Sequence, residues 1–277
     1  MILDSDSKKN HPIVIQAEYS LITKNPALMN KSMADNNPAP LEIEEDPFFA
    51  LDLAQMAKAT NYMAWQFQLI KPYLGRSILE IGGGIGNFTS LMAGYSEHVT
   101  SIEPNQHCYA KLTEETANLN NVTLYDTRAE DLENHVSSDY QADTVVCMNV
   151  LEHLRDDKFA VDTFTRLLRD GGNLILLVPA LPWIFGEIDR KLGHYRRYTK
   201  QSALELMEAT GLKPVSLRYF NFIGVLGWWW NARVAKKIQQ SDFQIKVFDK
   251  VIVPIARRIE PLLPLPMGQC LLVVATK

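Results

Sequence analysis

"LEIGGGIGNF", Leu79 to Phe88, closes an apolar run with glycines at 82, 83, 84 and 86 and then resumes with residues a helix tolerates. A strand that ends in glycine and yields to a helix brings bare backbone close to a ligand, because glycine lacks the Cβ that would hold the ligand off. Gly82, Gly84 and Gly86 are spaced G-x-G-x-G, whereas the dinucleotide fingerprint is G-x-G-x-x-G, and position 87 is Asn87. This departure argues against a hydride-transfer cofactor. So does Glu80, two residues before the first glycine: an acid at a strand end repels a pyrophosphate but can face an ammonium or amide group.

Outward from the loop, apolar runs alternate with helical patterns. Strands are expected at Ser77 to Ile81, His98 to Glu103, Val122 to Tyr125, from Asp143, over "NLILLVPA", and at Pro214 to Tyr219 and Gln269 to Ala275. Helices are expected at Asn87 to Ala93, Gln106 to Asn118, near Ala129, around the stripe Phe159, Phe164, Leu167 and Leu168, and at Thr199 to Thr210; Gly171-Gly172 is expected to stop the stripe helix. Strands that are near-continuous apolar runs between helices indicate an α/β fold, a parallel sheet covered on both faces. In such a sheet the first strand-to-helix turn lies where ligands bind. Glu103 ends the second strand 21 positions after Gly82, where a carboxylate can accept hydrogen bonds from the vicinal hydroxyls of a ribose. An adenosine is implied.

With "IEP", "RAEDL" and "NVLEHLRDD" following in order, the chain resembles the class I S-adenosylmethionine-dependent methyltransferases over most of residues 60 to 277. The resemblance implies a doubly wound seven-stranded sheet of order 3-2-1-4-5-7-6, mostly parallel, its last strand antiparallel. It implies S-adenosyl-L-methionine as cofactor, held by Glu80, Gly82, Gly83, Gly84, Gly86, Asn87, Glu103 and Pro104, with Ala129 and Glu130 at the adenine and the Asn149 and Val150 backbone near the methionine part. "LGHYRRYT", "RYFN" and "GWWWN" are similar to a bacterial subgroup that methylates small molecules.

Acceptor residues are expected after the fifth strand, in "PALPWIFGEIDRKLGHYRRYT". Asp189, His194 and Tyr195 are the candidate catalytic residues, His194 as base or hydrogen-bond donor and Tyr195 as a wall. Arg196 and Arg197 are candidate clamps for an anionic acceptor, and Trp183 a further substrate contact. The alternative leaves the arginines in water and His194 capping a carbonyl. Tyr62 and Trp65 can close over the cofactor, although a stripe of large residues at helical spacing favours packing in the core.

Residues 1–40 are read as a flexible leader and 41–277 as the methyltransferase domain, with N-terminal helices over 46–72 and a helical insertion at about 222–266. In the insertion Trp228, Trp229 and Trp230 stand beside Arg233, Lys236 and Lys237, and Val251, Ile252, Ile255 and Ile259 accompany Lys250, Arg257 and Arg258. A cap over the site, a peripheral membrane contact and a dimer contact all fit. The net charge of −4, with no long basic block, argues against a nucleic-acid partner. Cys108, Cys147 and Cys270 are far apart, with no CxxC and no adjacent His pair, so buried reduced thiols, no metal site and a cytoplasmic location are expected, with the membrane surface left open. No secretion signal is recognised, and the uncharged run Tyr219 to Ala232 is shorter than the roughly 18 to 20 residues of a spanning helix. A small-molecule methyltransferase, whose acceptor can be lipid-linked or glycosylated, leads; a nucleotide-cofactor oxidoreductase and a non-catalytic S-adenosylmethionine-binding partner subunit are the alternatives.

Overall fold

The computed structural model describes residues 53–230, 241–263 and 265–277, without the side chains of Trp229 and Trp230. The expected leader, the first part of the expected N-terminal helices, and Arg233, Lys236 and Lys237 lie outside the described residues.

The strands are β1 (Ser77–Ile81), β2 (His98–Ile102), β3 (Val122–Tyr125), β4 (Ala142–Met148), β5 (Leu168–Pro179), β6 (Lys213–Phe220) and β7 (Cys270–Thr276). They form one sheet of order β3-β2-β1-β4-β5-β7-β6. β1 to β5 pair in parallel, and β7 lies antiparallel between β5 and β6. Side chains alternate across the pleat, so Ile78, Val146 and Ile175 enter one core while Leu79, Val145 and Leu176 enter the other. Burial on both faces is why the strands read as unbroken apolar runs.

The helices are α1 (Thr60–Ile70), α2 (Asn87–Ala93), α3 (Gln106–Thr116), α4 (Asp157–Leu167), α5 (Glu187–Lys191), α6 (Lys200–Ala209), α7 (Phe222–Trp230), α8 (Asp242–Val247) and α9 (Val253–Ile259). Side-chain oxygens cap four of them: Asn105 accepts from the Cys108 N–H, Asp156 from Phe159, Thr199 from Ser202 and Ser241 from Gln244. Each such cap contributes about 1 kcal/mol.

Three expectations are corrected. Gly171-Gly172 does not stop α4, which has already ended at Leu167; the pair lies within β5. Register there passes from Ala142↔Leu168 to Thr144↔Asn173, so the strand bulges, with Gly171 at φ 75° and no room for a Cβ on Gly172. Phe159 is 47% exposed and off the buried stripe, which runs through Ala160, Val161, Phe164 and Leu167. Near Ala129 only a short turn forms, at Leu132–Asn134. Tyr62 and Trp65 settle in the core, Trp65 edge-on to Phe220 at 5.4 Å.

The insertion is helical where described. α8 passes through a wider turn (Phe248–Ile252) into α9 and ends in a tight turn (Glu260–Leu262). Two buried carboxylates fasten it. Asp249 accepts from the Tyr62 N–H at 3.0 Å and from Asn61 Nδ2 at 3.0 Å, at the start of α1. Glu260 accepts from the N–H groups of Asn221 and Phe222, both at 2.8 Å, at the start of α7. Each acid meets the positive end of a helix. Asp249→Ala strands these donors of α1 and is expected to lower unfolding free energy by about 3 kcal/mol in urea titration; an unchanged midpoint would show that the acid anchors nothing.

Candidate active site

β1, β2 and β4 end together, with Ile81 level with Ile102 and Cys147, and their carboxyl ends carry the glycine loop, Glu103 and the Asn149-Val150 turn. Strand order reverses between β1 and β4, which opens a crevice beside the loop. Backbone at this edge is unusual: Gly82, Gly84 and Gly86 have φ of 77°, 57° and 91°, and Asn149 has φ 54°.

The glycines serve different neighbours. A Cβ on Gly82 would lie 2.4 Å from Val150 Cγ2, one on Gly83 2.3 Å from Ser101 Oγ, and one on Gly86 3.0 Å from Glu115 Cβ. Those three are glycine because protein packs against them. At Gly84, among the described residues, a Cβ would meet only the tip of Leu53, at 3.1 Å, so here the missing side chain leaves space beside the crevice. The loop is not an anion nest either. Gly82 and Gly83 donate to Ile102 O, Gly86 to Gly83 O and Gly84 to Glu103, which argues against a pyrophosphate ligand.

Glu103 is 7% exposed and held through both oxygens, Oε2 by the Gly84 N–H at 2.8 Å and Oε1 by the Asn105 N–H at 2.9 Å. Each oxygen keeps a lone pair, so the carboxylate suits a vicinal diol. The open space at Gly84 beside it fits a ribose, and the residues present therefore suit the expected nucleoside. Burial raises the Glu103 pKa against the two backbone hydrogen bonds. Glu80 lies beneath the loop, its Oε2 accepting from Thr89 Oγ1 and from Ser101 Oγ at 2.7 Å. In this geometry it ties α2 and β2 under the glycines rather than presenting that oxygen to a ligand. Its pKa is pushed up to about 7 by burial. Asn87 opens α2, Pro104 precedes the α3 cap, Ala129 is buried and Glu130 is exposed.

On the acceptor side Asp189 is fully buried and gathers its neighbours. Oδ1 accepts from His194 Nδ1 at 3.0 Å and from Arg197 Nε at 2.7 Å, and Oδ2 from the Gly186 N–H at 2.9 Å. Burial alone would raise this carboxyl, but the hydrogen bonds from His194 and Arg197 outweigh it and its pKa is lowered. With Nδ1 donating to Asp189, His194 keeps Nε2 as its basic nitrogen. The His153 ring stands edge-on to it at 4.7 Å, and burial followed by the His194 charge drops the His153 pKa to about 3.

The two arginines of the expected clamp both have partners within the protein. Arg197 is 5% exposed, bonded to Asp189 and to Ala180 O at 3.0 Å, and stacked on Trp228 at 4.6 Å. Arg196 pairs with Asp157 at 2.9 Å and donates to Arg155 O at 2.5 Å. Both guanidinium groups are engaged within the protein. Tyr195 and Trp183 stay exposed, at 42% and 59%.

Glu152, absent from the expected site, is 1% exposed with Oε2 lacking a hydrogen-bond partner among the described residues, and burial pushes its pKa up to about 8. Glu152, His153 and His194 offer ligand atoms within 4.8 Å of one another, a carboxylate and two imidazoles that could hold a transition metal. The sequence signal for Glu152 was an acid inside the apolar segment "NVLEHL".

A family model described as a methyltransferase domain matches residues 51–217. The chain is 26% identical over 169 residues to a ubiquinone biosynthesis O-methyltransferase of Thiobacillus denitrificans, covering 51% of this chain and 69% of that protein. Among solved structures, phosphoethanolamine N-methyltransferase 2 of Haemonchus contortus with S-adenosyl-L-methionine has a TM-score of 0.58 at 14% identity, over 86% of this chain and 59% of that one. A SAM-dependent methyltransferase of Archaeoglobus fulgidus has a TM-score of 0.56 at 18% identity, over 84% and 100%.

Two measurements check the cradle. Glu103→Ala is expected to weaken S-adenosylmethionine binding by about 1.5 to 3 kcal/mol in calorimetry; an unaltered dissociation constant would remove the acid from the site. Glu80 holds its proton in the folded chain up to about pH 7 but releases it near 4.5 when unfolded. Stability therefore falls as pH rises through that window, by at most roughly 3 kcal/mol. Glu80→Gln should abolish that decline, so a variant-to-wild-type difference that is equal at pH 4 and pH 8 contradicts the assignment.

Proposed function

The chain belongs to the methyltransferase-domain family of S-adenosylmethionine-dependent enzymes, and from that premise we propose that its acceptor is a hydroxyl group on a small, largely apolar molecule. The observation that carries this reading is the buried Asp189–His194 pair at 3.0 Å. An alcohol or phenol must lose its proton to become a good nucleophile, whereas a free amine or carboxylate needs no base. A histidine oriented by a buried carboxylate is the group for that task.

Two further features support an uncharged acceptor. Arg196 and Arg197 have partners inside the protein, so neither is spare for a phosphate or carboxylate. The exposed large side chains nearby, Trp183 and Tyr195, supply aromatic surface instead. The relative from Thiobacillus denitrificans is named for ubiquinone biosynthesis and O-methylation. We carry the O-methylation of a small molecule to this chain, and the aromatic surface at Trp183 and Tyr195 supports an apolar acceptor.

S-adenosylmethionine, which the Gly84 space and Glu103 would hold, would supply a methyl group made electrophilic by its sulfonium, the carbon–sulfur bond breaking to leave the neutral thioether S-adenosylhomocysteine. The protein's share is proton management and alignment. His194 Nε2 accepts the hydroxyl proton as the oxygen gains its new bond to carbon, and the imidazolium that results is stabilised by Asp189 through Nδ1. Asp189 remains ionised throughout, because Arg197 and His194 hold its pKa down. Trp228 covers Arg197 and keeps water from this ion pair.

His194→Ala should cut the single-turnover rate of methyl transfer by about a hundred- to ten-thousand-fold while leaving cofactor affinity intact. Extract incubated with labelled donor should give an organic-soluble product whose label survives mild alkali, as a methyl ether does and a methyl ester does not. Label in protein or in an alkali-labile product, or a full rate in the variant, would overturn the hydroxyl reading.

A further inference from the structure

We propose that the outward face of the helical segment 242–263 is a docking surface for an anionic lipid bilayer. This segment, α8 to α9 with its flanking turns, is apolar on two faces. Ile245, Val253 and Ala256 are buried, while Asp249 and Glu260 on the same side make the fastening contacts to α1 and α7. The second apolar face is a run at four-residue steps, Phe243, Val247, Val251, Ile255, Ile259 and Leu263, joined by Leu262. All seven are exposed, from 37% at Val247 to 80% at Leu262. A helix that buries one stripe normally shows polar residues opposite, so a continuous second stripe calls for another apolar phase.

The geometry keeps that stripe together. Four-residue steps drift by about 40° per step around an ordinary α-helix, since each residue advances about 100°. The wider turn at Phe248–Ile252 opposes that drift midway along the run. Ile223 and Leu226 on α7, whose first N–H is held by Glu260, are exposed as well.

Charge selects the partner. Lys246 and Arg258 are exposed and Arg257 is partly so; Lys250 turns its ammonium to Asp249 at 3.1 Å and Thr60 at 3.3 Å, and the acids Asp249 and Glu260, two of the segment's three, are buried. The third, Asp242, pairs with Lys58 at 2.8 Å at the far end. This face is thus cationic on a chain of net charge −4. Two copies meeting through it would bring like charges together, because a two-fold contact pairs a patch with itself. Cations bordering an apolar stripe match anionic headgroups over acyl chains. Among the described residues no helix is long and apolar enough to cross a membrane, so the contact lies along the surface.

The test uses the full chain and two kinds of vesicle, phosphatidylcholine alone and phosphatidylcholine mixed with phosphatidylglycerol, read by co-sedimentation. Anionic lipid should raise the bound fraction at least about tenfold, and added salt should reverse that gain. Ile255→Ser with Ile259→Ser, both at exposed positions, should lower binding to anionic vesicles at least about tenfold while S-adenosylhomocysteine affinity, the check on folding, stays unchanged. A wild type that remains in the supernatant with both vesicles overturns the proposal, as does a folded variant that binds like wild type. Wild-type dimers that the double substitution dissociates, without vesicle binding by either protein, would assign the face to a second copy and overturn it too. These readouts need no acceptor, so the hydroxyl proposal can fail without affecting this one.

Discussion

The hydrogen bond from the Gly84 N–H to Glu103, 2.8 Å long, joins the glycine loop to the tip of the neighbouring strand and makes the two a single cradle. It ties the position of a carboxylate to the one loop residue whose absent side chain leaves room beside the crevice. Packing sets the rest of the loop around that bond: Gly82 against Val150, Gly83 against Ser101 and Gly86 against Glu115. Glu80 and Glu103 are both buried acids with raised pKa values, and Glu103 is among the groups pushing Glu80 up. A cationic ligand relieves this arrangement and an anionic one aggravates it. Selection for a sulfonium over a pyrophosphate thus follows from the field of the site as well as from its glycine spacing.

The acceptor side balances charge in the opposite sense. Asp189 is buried but meets Arg197 and His194, and their hydrogen bonds more than offset the cost of taking its charge out of water. Such a buried pair is weak evidence for stability, since apolar residues of the same volume often do as well. Its value here is positional. Asp189 holds the His194 ring by one nitrogen, and Arg197 is itself held by Ala180 O and the Trp228 face. Trp228 belongs to α7, so the insertion contributes a wall of the same constellation. Glu260 secures the other end of that helix, and a side chain from the end of the insertion thereby helps to set the packing of the site.

Legibility in the sequence followed the range of the forces involved. Strands buried on both faces show as apolar runs, and β1, β3 and α2 fall on their expected residues. Glu103 was legible because loop and acid are close in sequence and fixed by one crossover. Gly171-Gly172 was misread because the same dipeptide serves a helix stop and a strand bulge, and only the register with Asp143 separates them. Arg196 and Arg197 read as an anion clamp or as surface cations because Asp157, Arg155 O and Ala180 O reach them only in the fold. Asp249 and Glu260 were illegible for the same reason: their partners, Asn61, Tyr62, Asn221 and Phe222, lie on other elements of the chain. Glu152 passed unnoticed because an acid between apolar neighbours carries no mark of whether it is buried.

The insertion connects the two proposals physically. Its inward face is fixed by buried carboxylates to the starts of α1 and α7, and α7 carries Trp228 to Arg197. With a bilayer against its outward face, the helices that touch lipid and the aromatic wall beside Asp189 and His194 form one packed unit. An apolar acceptor delivered along that surface would exchange lipid for side-chain contacts without full hydration. The hydrophobic cost of carrying its tail through water, about 0.8 kcal/mol for each methylene, would then be avoided. Under the two proposals, substrate apolarity and membrane contact are complementary demands: a long tail would make the docking face useful, and the docking face would make a long tail accessible to a buried base.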